Sequence, residues 1–296
     1  MIAKVMCSGK TIDNFIVIVK FWYTAPAMKK FVILEKSVGQ TPLAALESWK
    51  SEHPDYARMV ACYAGRLDPM ASGKLLVLIG DECKKQKSYT GLDKEYEIEV
   101  LLGIGSDTGD VLGMPEASDD VPVKDRTIAT ALWKELGAHS RAYPAFSSKT
   151  VNGKPLFLYT LEGTLSSINV PTHIEQVYRI THKDTYAVSC ADLEKRVSDF
   201  LSRVPRTNEP SKKLGEDFRV DAIRAQWESL FKRAQGRSFT VLRLKVVCAS
   251  GTYMRSLAGR IGESLGTTAL ALSIHRSKIG KYVSVWGKLG FWRQTY

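Results

Sequence analysis

Residues Lys74-Leu75-Leu76-Val77-Leu78-Ile79 form an almost unbroken apolar run. A stretch this short and this uniformly apolar reads as a central strand buried on both faces, which needs structure packed above and below it. The 296 residues suffice to supply that structure in one large domain or two modest ones. Around the run, elements alternate without an internal repeat. Phe31 to Leu34 reads as a short strand, and Thr41-Pro42 supplies an N-cap and first-turn proline for a helix with Leu43, Leu46 and Trp49 on one face. From Lys94 to Leu102 the pattern has period two, with Glu95, Glu97 and Glu99 on one face and Tyr96, Ile98 and Val100 on the other, so a half-buried strand is expected.

Further along, Ile128, Leu132 and Leu136 mark a helix stopped by Gly137. Residues 185–236 read as an inserted helical hairpin, with stripes at Leu193, Val197, Phe200, Leu201 and Val204 and at Ile223, Trp227, Leu230, Phe231 and Ala234, joined by a polar linker over 205–214. A strand returns over Phe239 to Cys248, and the Ser250-Gly251-Thr252 turn starts a helix that buries Leu257, Ala258, Ile261 and Leu265 and ends at Gly266.

Charge narrows the partner class. Lys and Arg number 42 against 31 Asp and Glu, and the resulting net charge of +11 favours polyanions, nucleic acid first. Five scattered cysteines with no CxxC pair point to a reducing compartment, and no His or Cys grouping has metal-ligand spacing, so neither disulfides nor a metal are expected. Phe15 to Val19 followed by Ala25-Pro26-Ala27 imitates a signal sequence, but Lys20 interrupts it and the run is too short to cross a bilayer. Met28-Lys29-Lys30 reads as a translation start. Residues 1–27 are then expected to be an extension, disordered or not native, ahead of a domain over 28–296.

The densest chemistry lies in Tyr63 to Gly80, YAGRLDPMASGKLLVLIG. It is no phosphate loop: the position five residues before Gly73-Lys74 is Asp68, and Leu75 replaces the required Ser or Thr. Pro69 pushes Asp68 towards extended geometry at the mouth of the buried strand.

The stretch GRLDPMASGKL is similar to the G-x-L-D-P-x-A-x-G-x-L signature of the TruB family of pseudouridine synthases. Three more stretches agree in order: EKSVGQTPLAAL (35–46), KEYEIEVLLGIGSDTGDVLG (94–113) and CASGTYMRSLAGRIGESLG (248–266). The resemblance runs from about residue 31 to 282, the helical insert excepted. It implies an α/β domain of the α+β type with the pseudouridine synthase fold: a mixed, largely antiparallel central sheet flanked by helices.

Pseudouridine formation breaks the N-glycosidic bond, turns the uracil and rejoins it through C5, so a carboxylate must act on the ribose as nucleophile or base. The resemblance gives that role to Asp68, with Arg255 as its ion-pair partner and Tyr96 as the catalytic tyrosine stacked on the target base. It places Tyr253 and Ile274 in the pocket and Lys94, Lys36 and Lys149 on the substrate side.

Departures from the pattern are plain. Tyr63 stands where the family has histidine and is expected on the substrate side, able to stack on a flipped base but not to reproduce imidazole hydrogen bonding; Ser37 follows Lys36 where the family has proline, and in the thumb-like segment 143–170 Thr150, beside Lys149, replaces a lysine. Thr160-Leu161 replaces Ala-Arg. Most bacterial relatives carry a C-terminal RNA-binding PUA domain, and with 14 residues after Tyr282 it is expected to be absent. The expected function is isomerisation of the T-loop uridine of tRNA, conventionally position 55. No cofactor, guide RNA or membrane is expected to take part, and the protein is expected to be monomeric and cytoplasmic. The alternatives are the same chemistry on another RNA loop, or a catalytically silent RNA-binding or RNA-folding protein of the same fold.

Overall fold

The apolar run lies in a strand, Ala71–Ile79, whose residues from Leu75 onward are all buried. The computed structural model describes residues 29–118, 124–204, 219–285 and 289–296. The expectations for residues 1–27, Met28 and the 205–214 linker lie outside these. Along the chain run β1 (Phe31–Lys36), α1 (Pro42–Glu52), β2 (Ala61–Ala64), β3 (Ala71–Ile79), α2 (Gln86–Thr90), β4 (Asp93–Leu102) and the short pair β5 (Ile104–Ser106) and β6 (Pro115–Ala117). Next come α3 (Asp125–Lys134), β7 (Gly137–Ala142), β8 (Thr150–Val151), β9 (Lys154–Pro155), α4 (Leu156–Leu161), β10 (Thr172–Ser189) and α5 (Cys190–Arg203). The chain closes with α6 (Val220–Arg233), β11 (Ser238–Cys248), α7 (Met254–Ser264), β12 (Ala269–Val285) and β13 (Leu289–Thr295).

Nine strands form one sheet in the order β1-β3-β12-β4-β11-β10-β7, with β2 beside β3 and β13 beside β12. Every pairing is antiparallel except β3 with β12, where Ala71, Ser72 and Gly73 face Ile274, His275 and Arg276. The sheet is therefore mixed and largely antiparallel, as expected. Helix α7 packs on β12 and β4, α3 packs on α7 and β10, and α1 packs on β1. Thr41 caps α1 through a 3.1 Å bond from Ala44 N to its hydroxyl, with Pro42 in the first turn.

Helices α5 and α6 bury Leu193, Val197 and Leu201 against Ile223, Trp227 and Phe231, the stripes read from the sequence. Trp227 is fully buried and its Nε1 donates to Val111 O at 3.1 Å, which fixes α6 to the loop after β5. Residues 185–189, counted with the helical segment on sequence grounds, instead extend β10 along β11.

Two other readings need correction. Leu43 is 51% exposed while Ala45 and Leu46 carry the packing of α1, because residues three apart drift around a helix. The acidic face of β4 is also only partly solvated, with Glu97 exposed and its two neighbours on that face covered. Glu95 is buried and bonded to Ser277, Lys278 and Lys245. Glu99 accepts from Arg196, Tyr186 and Ser273. Period-two polarity marks a face, and long-range cations have covered part of this one.

Where β12 passes β3, Gly73 has φ +105°, and a Cβ there would lie 2.4 Å from Arg276 O. Gly153, at φ +79°, has open space around it. Gly73→Ala should cost more than about 3 kcal/mol in urea unfolding, and Gly153→Ala only about 1–2 kcal/mol from its backbone angle. Equal losses would show that the β3–β12 approach is not a tight constraint.

Candidate active site

The loop between β2 and β3 presents Asp68. Gly65 takes φ +83°, a left-handed turn that favours glycine, and Asp68 O accepts from Ala71 N at 3.0 Å. Leu67 and Met70 are buried on either side, so Asp68 is held at the surface between two anchors with 45% of its side chain exposed. Beneath the loop lies Lys36, with no exposed surface; its ammonium donates to Ser37 O at 2.9 Å, Gln40 O at 2.8 Å and Pro69 O at 3.5 Å.

Arg255 sits in the first turn of α7 and is buried. Its Nε donates to Asp68 Oδ2 at 2.7 Å, Nη1 to Thr108 O at 2.6 Å and Nη2 to Phe146 O at 3.1 Å. A second carboxylate oxygen, Asp110 Oδ2, lies 3.5 Å from Nε. One guanidinium thus joins three chain segments and orients Asp68, whose Oδ1 has no protein donor among the described residues. Such a carboxylate can attack an electrophilic carbon or take a proton.

Two cavities meet at Asp68. The smaller, about 220 Å³, is lined by Tyr96, Tyr253, Ile274, Lys94 and Arg276. Its size falls below the roughly 300–1,000 Å³ of pockets for drug-sized ligands and suits a single base. The larger, about 550 Å³, is mostly apolar and takes in Leu43, Tyr63, Phe146, Phe157 and Leu161. Tyr253 is placed by its own N–H, which donates to Glu175 Oε1 at 3.2 Å, and by the edge of its ring against His173, which stacks on Tyr143 at 4.0 Å.

The structure brings Asp68, Arg255, Tyr96, Tyr253 and Ile274 together at the smaller cavity, while Tyr63 lines the second. Lys36, expected on the substrate side, lines neither cavity and is spent on backbone carbonyls instead. Lys94 reaches the smaller cavity but is buried and bonded to Thr90 O and Leu92 O. Lys149 lies outside both, with its ammonium 5.1 Å from the Tyr143 ring centre.

Arg276 escaped the sequence reading, lying among the polar neighbours His275, Ser277 and Lys278, which gave no signal of its burial. It is fully buried and donates to Lys74 O, Arg66 O and Gly65 O. Asp110 and Ser147 escaped it too. Among the described residues, no three His, Cys, Asp or Glu side chains gather as a metal site.

Burial governs the titrating groups. It lowers Lys36 and Lys94 to about 8, with Arg276 adding to the effect on both and Asp68 opposing it at Lys36. Asp110 is raised to about 6 by burial, against the pull of Arg255. Burial likewise raises the Tyr96 and Tyr253 phenols, which therefore stay protonated at neutral pH.

Residues 57–198 match the model of the TruB family pseudouridylate synthase N-terminal domain. The chain is 26% identical over 229 residues to the tRNA pseudouridine synthase B of Blochmanniella floridana, covering 77% of this chain and 68% of the relative. It is 28% identical over 255 residues to that of Aromatoleum aromaticum, covering 85% and 63%. Residues 57–198 thus carry a TruB-family domain. The chain spans about two thirds of the length of these TruB relatives. A solved chain from a Cbf5-Nop10-Gar1 complex aligns with a TM-score of 0.49 and 18% identity, covering 84% of this chain and 48% of that one.

Within this TruB-family site, Asp110 binds a proton more tightly folded than unfolded. Its stabilising contribution is therefore fully present below the unfolded value and is lost as pH rises through about 6. Asp110→Asn keeps an acceptor for Thr108 and Leu112 without that titration. From about pH 4 to about pH 7 its stability relative to the parent should improve by on the order of 2 kcal/mol in urea unfolding. A difference independent of pH would show that this carboxyl does not titrate as its burial requires.

Proposed function

We propose that this chain isomerises uridine to pseudouridine in tRNA, with the T-loop uridine as target. The observation that carries the reading is the Asp68–Arg255 pair at 2.7 Å on the rim of a cavity sized for one base and walled by Tyr96, Tyr253 and Ile274. The uridine leaves its stack and enters the cavity against Tyr96. Stacking of roughly 1–3 kcal/mol helps offset the few kcal/mol of flipping. Asp68 acts on the ribose as nucleophile or base, the C1′–N1 bond breaks with its electron pair on N1, the uracil turns, C5 bonds to C1′, C5 gives its proton to solvent and N1 takes one up, so that the product is an isomer of the substrate. Arg255 keeps the carboxylate aimed throughout, while Ile274 excludes water.

The basic charge of the chain favours the tRNA T-arm as partner. In this reading the protein works as a monomer in the cytoplasm and needs no guide RNA. No helix among the described residues is long and apolar enough to cross a membrane.

Tritium release from uracil C5 in T-arm transcripts tests the reading. Asp68→Asn should abolish turnover with RNA affinity within a few fold, because the amide is nearly isosteric yet neither attacks nor accepts a proton. Turnover by that variant would remove Asp68 from the chemistry. Arg255→Lys, which loses the planar fork, should lower kcat far more than binding. Tyr96→Phe separates the ring from the hydroxyl: it should bind RNA as the parent does and fail in turnover if the hydroxyl carries a proton, whereas Tyr96→Ala should lose roughly 1–3 kcal/mol of binding. Unchanged binding and rate in the alanine variant would reduce Tyr96 to a packing residue.

A further inference from the structure

The rim shared by the two cavities holds a cation, Arg66, with no neutralising partner among the described residues. Six residues line both spaces: Arg66, Leu67, Asp68, Ser147, Ser148 and Arg255. Arg255 is committed to Asp68 and two carbonyls. The other cations of the cavities are also engaged: Lys94 and Arg276 bond backbone carbonyls, and Arg219 pairs with Asp107 at 2.8 Å. The Arg66 side chain is exposed and has no acceptor among the described residues; its bond to Arg276 is made by its backbone oxygen.

A second observation marks the same rim. Ser147 is 3% exposed, and its hydroxyl is buried without a hydrogen-bond partner. Its backbone is held by Phe157 N, which donates to Ser147 O at 3.2 Å, and the preceding carbonyl takes Arg255 Nη2. An unmade bond of this kind costs about 1–3 kcal/mol, and a native fold rarely leaves one without a compensating use.

Charge explains what would use both. A nucleoside seated in the smaller cavity continues along its strand over this rim, and the group that crosses it is a phosphodiester. That anion approaches Asp68 and Asp110, whose shared counter-ion Arg255 is already engaged. A free guanidinium meets the requirement, because its planar fork matches phosphate oxygens and its charge offsets the repulsion.

We propose that Arg66, together with the Ser147 hydroxyl, is the seat for a phosphodiester flanking the target uridine. This rests on the isomerase reading above. Arg66 fills the variable position of the G-x-L-D-P motif, so the seat is a feature of this chain's own sequence.

The test compares the parent, Arg66→Gln and Ser147→Ala on a T-arm stem-loop and on two versions in which the phosphodiester on either side of the target uridine is a neutral methylphosphonate. One methylphosphonate should lower kcat/KM of the parent roughly tenfold to a hundredfold. Arg66→Gln should lose a similar factor on the natural RNA and almost nothing more on that modified RNA. The slope of log Kd against log salt should become shallower by roughly 0.7 in Arg66→Gln. Ser147→Ala should lose kcat/KM while its melting temperature stays level or rises, since the change removes a group left unpaired in the free protein. A merely structural serine would lower the melting temperature instead.

Losses from Arg66→Gln and from the methylphosphonates that multiply, or parental activity in Arg66→Gln, would overturn the seat. A parent protein that fails to isomerise the natural stem-loop would overturn the isomerase reading instead. Filter binding of the same RNAs to parent and Arg66→Gln then still decides whether Arg66 senses the phosphate charge.

Discussion

The buried guanidinium of Arg255 is the hub of the site. Removing such a group from water is costly unless every face of it is bonded, and here one carboxylate and two carbonyls take its three donor directions. The three acceptors belong to the loop before β3, the loop after β5 and the segment after β7. Arg255 is one side chain that bonds to all three. The cost of desolvating Arg255 is returned as geometry: a carboxylate whose exposed oxygen has a fixed direction.

A second layer of cations supports the first from below. Lys36 and Arg276 are both fully buried, and both donate to carbonyls of the Gly65–Pro69 turn or its flanks. A loop that must expose a charged side chain cannot be stabilised by burying that side chain. It is held by its backbone instead, and cations on long stems can reach the turn's carbonyls from inside the sheet.

Local signals in the sequence were dependable wherever a single element decided them. Thr41-Pro42 caps α1, the Lys74–Ile79 run is buried, and the stripes on α5 and α6 meet each other. Asp68, Arg255, Tyr96 and Tyr253 were legible because each lies in a motif whose spacing survives, and Ile274 through the wider resemblance that extends to residue 282. What was not legible depends on partners far away in the chain. Glu95 and Glu99 read as a solvated face until β12 and α5 bring cations over them. Lys36 read as a substrate contact because sequence records its charge and not the carbonyls that absorb it. Arg276 and Ser147 gain meaning only from the cavity walls that they share with residues from other segments.

The two halves of the ion pair are 187 residues apart, and β3 meets β12 across a similar separation. Strands β1, β2 and β3 with helix α1 make mostly local contacts and can assemble early, whereas the Arg255 and Arg276 contacts require closure of a loop that holds most of the chain. During synthesis, the Asp68 turn therefore emerges long before the groups that aim it. Until α7 and β12 have left the ribosome, Asp68 has no Arg255 to orient it and its turn lacks the support of Arg276, so a chain stalled before them carries the turn without the contacts that aim it.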